Sequence, residues 1–554
     1  MTKNTASGVN GFVLLLTFVA SLGGLLFGYD TAVISGTTGA LQEFFVNSMF
    51  RDAALASKII AEFKIVSVLC FAIVDIIFIS LLFSLFNKDL VRTSFWGTIL
   101  TALLGIIVYD QYLSQGGQIN EGLANSIKGF VISSALFGCI IGGGIAGYIG
   151  QKYGRKNGLI MAALLLIISA FGSALPESIN ITGGTVMASF VLYRIIGGIG
   201  VGIASMLSPM YIAEISPADI RGKLVSWNQF SIIFGMLVVY FVNYFIARGQ
   251  SESWINDIGW RWMFASELFP GAVFLILLFL IPESPRFLVM RNEEAKALNV
   301  LNKIVDTVKA NQIIGDIRES LREKSAPWLS YGGLVIVIGV LLSAFQQFVG
   351  INVVLYYAPE IFKNLGGDTD TSLLQTIIVG AINLLFTVLA IMTVDKIGRK
   401  KLQIIGAFVM AVSMLTLGTT FYLQDKSLLP LFAMLTYVAG FAMSWGPVVW
   451  VLLAEIFPNS IKGALSLAVA VQWFTNYLVS WTFPMMNDST YLTNMFNHGF
   501  AYWVYGVMAI LAAIFMVKLV PETKGKKLEE MEKLWGKKEE SLKAENASLS
   551  MAKE

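Results

Sequence analysis

Gly147-Tyr148-Ile149-Gly150-Gln151-Lys152-Tyr153-Gly154-Arg155-Lys156 returns later in the chain as Asp395-Lys396-Ile397-Gly398-Arg399-Lys400, 244 residues on between the Gly-Arg-Lys turns. Tyr211-Ile212-Ala213-Glu214-Ile215-Ser216-Pro217 returns as Leu452-Leu453-Ala454-Glu455-Ile456-Phe457-Pro458 after 241 residues, and Pro282-Glu283 returns as Pro521-Glu522 after 239. Three motifs in one order at nearly constant offset mark a chain built of two homologous halves. Such parallel repeats are a common plan of membrane transporters.

The composition around these motifs fits a membrane protein. The 554 residues are 56% hydrophobic and 14% charged, against about 25% charged in soluble domains. Fourteen apolar runs between residues 11 and 519 approach the ~20 residues a helical span needs. The first, 11–35, is too long and too weakly basic in its lead for a signal peptide and reads as the first span. The expected fold is an all-α polytopic membrane protein with two six-helix halves, 11–281 and 329–520. A charged linker of short amphipathic helices, 282–328, joins them, and a tail, 521–554, follows. In the linker Ala297, Val300, Leu301, Ile304 and Val308 have helical spacing. The halves are unequal: 41–125 holds two additional runs, 64–86 and 94–112, with no counterpart in the second half. They read as two extra spans inserted after the first helix, with interfacial or re-entrant helices as the alternative. Asp75 lies mid-run in the first of them.

Lys and Arg set the orientation. With the N-terminus inside and sides alternating, 30 of the 39 basic residues fall on cytoplasmic segments and eight outside, Lys128 among the eight. Arg194 lies inside a span. Both termini are therefore expected in the cytoplasm of a protein of the cell inner (plasma) membrane. Cys70 and Cys139 lie in apolar runs and His498 is the single histidine, so neither a disulfide framework nor a His-rich metal site is expected. No phosphate-cradling motif appears. No cofactor, metal, enzymatic activity or nucleic-acid partner is expected, and the chain reads as a monomer in the lipid bilayer.

Polar side chains inside spans usually face a cavity or one another. Asp30 and Arg194 are the sharpest pair. A carboxylate in a dry cavity binds a proton more readily, and a nearby arginine reverses that. A pair that forms in one state and breaks in another would bind and release a proton; the alternative is a permanent structural ion pair. Glu267 is a third acid. Gln229, Gln346, Gln347, Asn352, Asn383 and Gln472 offer donors and acceptors together, suited to vicinal hydroxyls, or alternatively hydrogen bonds between helices. Gln229 and Gln472 are repeat-equivalent, which sets them on opposite walls of one cavity. Asn352 and Tyr356 share a helix face, and Gly350 just before them can break the helix. Trp450 and Trp473 can stack on the C–H face of a pyranose. At the cytoplasmic side, Arg155, Arg399, Glu214, Glu455 and Arg221, with Glu283, Arg286 and Asp395, can pair to lock the halves closed, or can serve only to set topology. Glycine clusters around Gly138 and Gly198 suit close helix packing.

These motifs, with Gly23-Gly24-Leu25-Leu26-Phe27-Gly28-Tyr29-Asp30, Pro282-Glu283-Ser284-Pro285-Arg286, Gln346-Gln347-Phe348-Val349-Gly350-Ile351-Asn352 and Pro521-Glu522-Thr523-Lys524-Gly525, resemble the sugar porters of the major facilitator superfamily. The resemblance covers 11–40 and 126–530 and leaves 41–125 outside. It implies alternating-access sugar transport, with proton-coupled symport of a pentose, D-xylose first, as the expected activity. Passive facilitation, another monosaccharide (arabinose, glucose or galactose) and sugar sensing are the alternatives. It also implies a pocket wall at Phe27, Gly446 and Trp450, sugar binding by the six amides, and proton coupling by Asp30, Arg194 and Glu267. Passive relatives usually carry a neutral amide at the position of Asp30, so its acid favours symport.

Overall fold

A break in the backbone rules sets each half's architecture: Gly154 and Gly398 have φ of +97° and +101°, a conformation L-residues avoid. Each glycine ends one long helix and starts the next. A Cβ at Gly154 would lie 2.2 Å from Glu283 Oε2, so the turn tolerates glycine alone. The computed structural model describes residues 11–85, 120–217, 219–321, 328–524 and Trp535, and every regular element among them is helical.

The first half consists of α1 (Gly11–Val33), the inserted α2 (Ala53–Leu85), α3 (Glu121–Lys152), α4 (Arg155–Ala174), α5 (Val186–Ile215), α6 (Arg221–Ala247) and α7 (Leu268–Leu280), the last approached through Trp260–Ala265. The second comprises α8 (Gly333–Phe348), α9 (Ile351–Tyr356), α10 (Ala358–Asn364), α11 (Thr369–Ile397), α12 (Arg399–Tyr422), α13 (Leu429–Met443), α14 (Trp445–Ile456), α15 (Leu465–Asn487) and α16 (Phe500–Lys518). Among the described residues, eleven helical stretches are long and apolar enough to cross a membrane. α15, outside that set, buries Gln472, Thr475, Asn476 and Ser480 along its length.

Two helix pairs join the halves, α3 against α15 and α6 against α11. Within the first half, α3 and α5 approach until a Cβ at Gly198 would lie 1.8 Å from the Ala135 carbonyl oxygen. Small residues permit this contact, as the glycine clusters predict.

The helix that carries the first inserted run begins at Ala53, eleven residues before the apolar run at 64. Its outward stripe, Ile65, Leu69, Ile73 and Ile76, is exposed at helical spacing, the pattern of a lipid-facing side. Glu62 anchors it to the first half by accepting from Thr185 N (2.8 Å) and Thr185 Oγ1 at the start of α5. The other face packs Phe71 against Phe137 of α3 and Tyr477 and Trp481 of α15. The second run, 94–112, and the 87–93 turn lie outside the described residues.

The linker differs from its simple periodicity. Glu294–Leu301 buries Ala297, Val300 and Leu301, but the helix ends there and a new one, Thr307–Ser320, starts behind the Asp306 cap. Asp306 Oδ1 accepts from Lys309 N at 2.9 Å. The restart rotates Val308 off the apolar face, where it is 81% exposed.

Candidate functional site

Helix breaks position the candidate amides of α8 and α9. Gly350, in the left-handed region at φ +89°, separates α8 from α9, as its place just before Asn352 predicts. The turn sets Asn352 back on Gln347, whose Oε1 accepts from Asn352 Nδ2 at 2.6 Å. A second break, at Ser444, divides α13 from α14. Gln346 Nε2 donates to the carbonyls of Trp445 (2.8 Å) and Gly446 (3.2 Å) in the first turn of α14. Gln346 thus spends its donors on the backbone of the break, and only its buried Oε1 has no partner.

Across this region, Phe27 of α1 and Trp473 of α15 meet with ring centroids 5.5 Å apart, one from each half. Gln472, next to Trp473, has a buried Oε1 without a protein partner. Gln229 is half-buried on α6, and Asn383 is buried on α11. Tyr356 is buried near Asn476 and lies within electrostatic reach of Asp30 and Arg194. Trp450 is the exposed aromatic of α14.

The acidic trio is drier than the amide region. Arg194 Nη1 donates to Asp30 Oδ1 at 2.7 Å and Nη2 to the Asp30 carbonyl at 3.1 Å. Both side chains are at most 1% exposed. The pair joins α1 to α5 inside one half, rather than reaching across a cavity between halves. The guanidinium lies over Phe264, 5.2 Å from its centroid. Glu267 sits at the break between Trp260–Ala265 and α7 rather than inside a continuous helix. It is buried beside Asp30 and Arg194, with its carboxyl in side-chain hydrogen-bonding reach of the Asp30 carboxyl. Neither the Glu267 oxygens nor Asp30 Oδ2 accepts from a protein N–H or hydroxyl donor.

The two Gly-Arg-Lys turns form matching clusters. Arg155 Nη2 donates to Glu214 Oε1 at 2.8 Å, and Glu214 Oε2 accepts from Ser284 Oγ at 2.5 Å. In the repeat, Arg399 Nη2 donates to Glu455 Oε1 at 2.8 Å, and Glu455 Oε2 accepts from Thr523 Oγ1 at 2.5 Å. Glu283 accepts from the backbone of Arg155 and Lys156 at 3.0 and 3.1 Å. Burial pushes its carboxyl above the usual range, while those backbone donors pull the other way. Glu522 does the same for Arg399 and Lys400 at 3.2 Å. Glu522 is missing from the residues singled out in the sequence, although the Pro-Glu repeat points to it. These ion pairs form within each half. Asp395 pairs with Arg399 at 2.9 Å, and among the described residues Arg221 and Arg286 form no ion pair.

The bonds between halves gather at the opposite end. Lys128 of α3, counted as an external charge in the sequence, is 2% exposed there. It donates to Glu360 (2.5 Å) and Asp488 (2.7 Å) of the second half. On the other seam Glu252 accepts from Lys363 (3.2 Å) and Thr369 (3.0 Å).

A family model described as "Sugar (and other) transporter" matches residues 16–535. The chain belongs to this sugar transporter family. This transporter is 52% identical to the D-xylose-proton symporter of Escherichia coli K12, over 95% of its own length and 96% of that protein's. It is 38% identical to the glucose facilitated diffusion protein of Zymomonas mobilis, over 95% and 98% of the two lengths. The solved partially occluded, inward-open structure of the xylose transporter XylE from E. coli superposes with a TM-score of 0.74 at 50% identity. That match covers 93% of this chain and all of that one. The all-helical, multi-pass architecture of two repeated halves is that of the major facilitator fold.

Proposed function

We propose that this transporter is a proton-coupled symporter of a pentose, D-xylose first, working by alternating access in the cell inner membrane. The observation that carries the reading is the buried Asp30–Arg194 pair with Glu267 beside it. Two carboxyls and one guanidinium in a dry site carry one negative charge in excess when both acids are ionised, and burial disfavours an uncompensated charge. One proton on the trio restores neutrality. Tyr356 lies within electrostatic reach of Asp30 and Arg194 and shares a helix face with Asn352, so sugar occupancy and proton occupancy can be felt by one side chain.

Gln229, Gln347, Asn352 and Gln472 act on the sugar hydroxyls, Phe27 and Trp473 form the apolar wall, and Gln346 holds the α13–α14 break in position. Gly446 and Trp450 line the same wall from α14, and Asn383 from α11. Gly-Arg-Lys turns rich in basic residues put that end of the bundle, and both termini, in the cytoplasm. With the halves tied together at the Lys128 end and the Arg155 and Arg399 clusters closed within their own halves, this conformation faces the cytoplasm. On outward opening, Arg221 and Arg286 become available to pair across the cytoplasmic seam.

Uptake of radiolabelled D-xylose into proteoliposomes under an imposed pH gradient, with competing sugars and with a proton ionophore, tests the proposal. Accumulation above the external concentration that the ionophore abolishes is expected. Equilibration that ignores the gradient identifies a passive facilitator, the activity named for the 38%-identical relative. Accumulation of another monosaccharide in preference to xylose overturns the substrate.

A further inference from the structure

We propose that Lys128, Glu360 and Asp488 form an ionic latch that holds the transporter shut at the end opposite its Gly-Arg-Lys turns. The proposal rests on the alternating-access reading. Lys128 belongs to α3 of the first half, Glu360 to α10 and Asp488 to the end of α15 in the second. Opening at this end separates α3 from α10 and α15, so both Lys128 bonds must break.

The latch is built for one state. The Lys128 ammonium is buried and bonded to one oxygen of each acid. Glu360 Oε2 is buried without another partner, so Lys128 is the group that makes burial of this carboxylate tolerable. Asp488 is steadied by Asn487, whose Nδ2 donates to Asp488 Oδ1 at 2.6 Å, and the Asn487 carbonyl is in turn 2.6 Å from His498 Nδ1. Lys363 is the further cation facing Glu360, and it is shared with Glu252. A cavity of about 330 Å³ adjoins the latch, lined by Glu360, Asp488, Lys363, Gln42 and Asn256 among others. When the end opens, water from that side reaches all three charges. Removing one partner of a buried pair leaves the other charge uncompensated, whereas a hydrated charge needs no partner. Loss of Lys128 therefore raises the free energy of the closed state and leaves the open one nearly unchanged.

The same seam is crossed by Trp481 Nε1, which donates to the Ser126 carbonyl at 3.0 Å, and by Gly129, where a Cβ would lie 2.1 Å from the Trp481 carbonyl oxygen. These contacts provide close fit, and the charges provide the energetic difference between states. The two acids, with Lys128 between them, distinguish this end from the other, where the ion pairs of Arg155 and Arg399 stay inside their halves.

The test measures spin–spin distances by pulsed electron resonance between labels at Ser178→Cys and Asn494→Cys, in full-length protein in lipid nanodiscs lacking Cys70 and Cys139. Both positions are exposed at the latch end. Lys128→Met should raise the ratio of open to closed populations, read from the long-distance fraction, at least about a hundredfold, as expected for one uncompensated buried charge. Lys128→Met combined with Glu360→Gln and Asp488→Asn removes the uncompensated charges and should return the distribution toward the parent. Lys128→Arg should stay closed. Thermal unfolding and monodispersity confirm that each variant is folded. The proposal is overturned if Lys128→Met has the parent distribution, or if the triple variant opens as far as Lys128→Met does. Failure of the xylose–proton reading would appear instead as absent coupled flux with these distance shifts intact.

Discussion

Replacing Asp30 by Asn keeps the side-chain size and one acceptor for Arg194 but removes the titratable group. The contact at stake is the 2.7 Å bond from Arg194 Nη1, while the 3.1 Å bond from Nη2 goes to the Asp30 carbonyl and survives. Hydrogen bonds to charged partners contribute about 1.5–3 kcal/mol and neutral ones about 0.5–1.5 kcal/mol. The substitution thus weakens the link by roughly 1–1.5 kcal/mol on those values. Glu267, buried beside the pair, remains as counter-ion, so Arg194 is not stranded and the fold persists. Coupling is affected far more. A gradient of one pH unit is worth about 1.4 kcal/mol, which supports at most about tenfold accumulation for one proton per sugar. The parent should approach that ratio in proteoliposomes and acidify their lumen on sugar addition. Asp30→Asn should hold the ratio at one, retain counterflow exchange, and bind sugar within about twofold of the parent by calorimetry, because losing the site's proton does not remove a sugar contact. If the Asn variant still concentrates sugar and moves protons, Asp30 is structural and the coupling proton must reside on Glu267 or elsewhere.

Gln229→Ala and Gln347→Ala should each weaken sugar binding by about 1–3 kcal/mol, the value of leaving a buried hydroxyl unpaired; unchanged calorimetric affinity in both removes these residues from the site. Gly350→Ala forces a φ of +89° on a residue with a Cβ that would lie 2.7 Å from the Tyr505 ring. Beyond that clash, the left-handed conformation alone costs about 1–2 kcal/mol, so a lowered thermal midpoint and lost transport are expected. Glu62→Ala removes the two bonds to Thr185 at the start of α5. It should destabilise the protein by about 0.5–2 kcal/mol, the range for a lost helix cap, while uptake per folded molecule stays unchanged.

Much of this architecture is legible without coordinates because hydropathy, basic turns and repeats act locally. A span is a run of apolar side chains, and a Gly-Arg-Lys turn needs a glycine at positive φ wherever it sits. The repeat carries each such rule into the second half. Gly350 after Gln347 marks a broken helix for the same local reason, and Asp30, Arg194 and Glu267 stand out because charge inside a span is expensive. The tertiary structure alone decides which of those groups meet. Gln346 reads like its neighbour Gln347, yet only Gln346 points its amide at the Trp445 and Gly446 carbonyls in the first turn of α14. Arg155 and Arg399 find their acids within their own halves, a choice fixed by the close of each bundle and invisible in spacing. Val308 follows the apolar period but falls beyond a helix restart. Lys128 counts as one more external charge until α3 is laid against α10 and α15. Its two acids lie 232 and 360 residues away, and partners brought together over such separations leave no local trace in a chain.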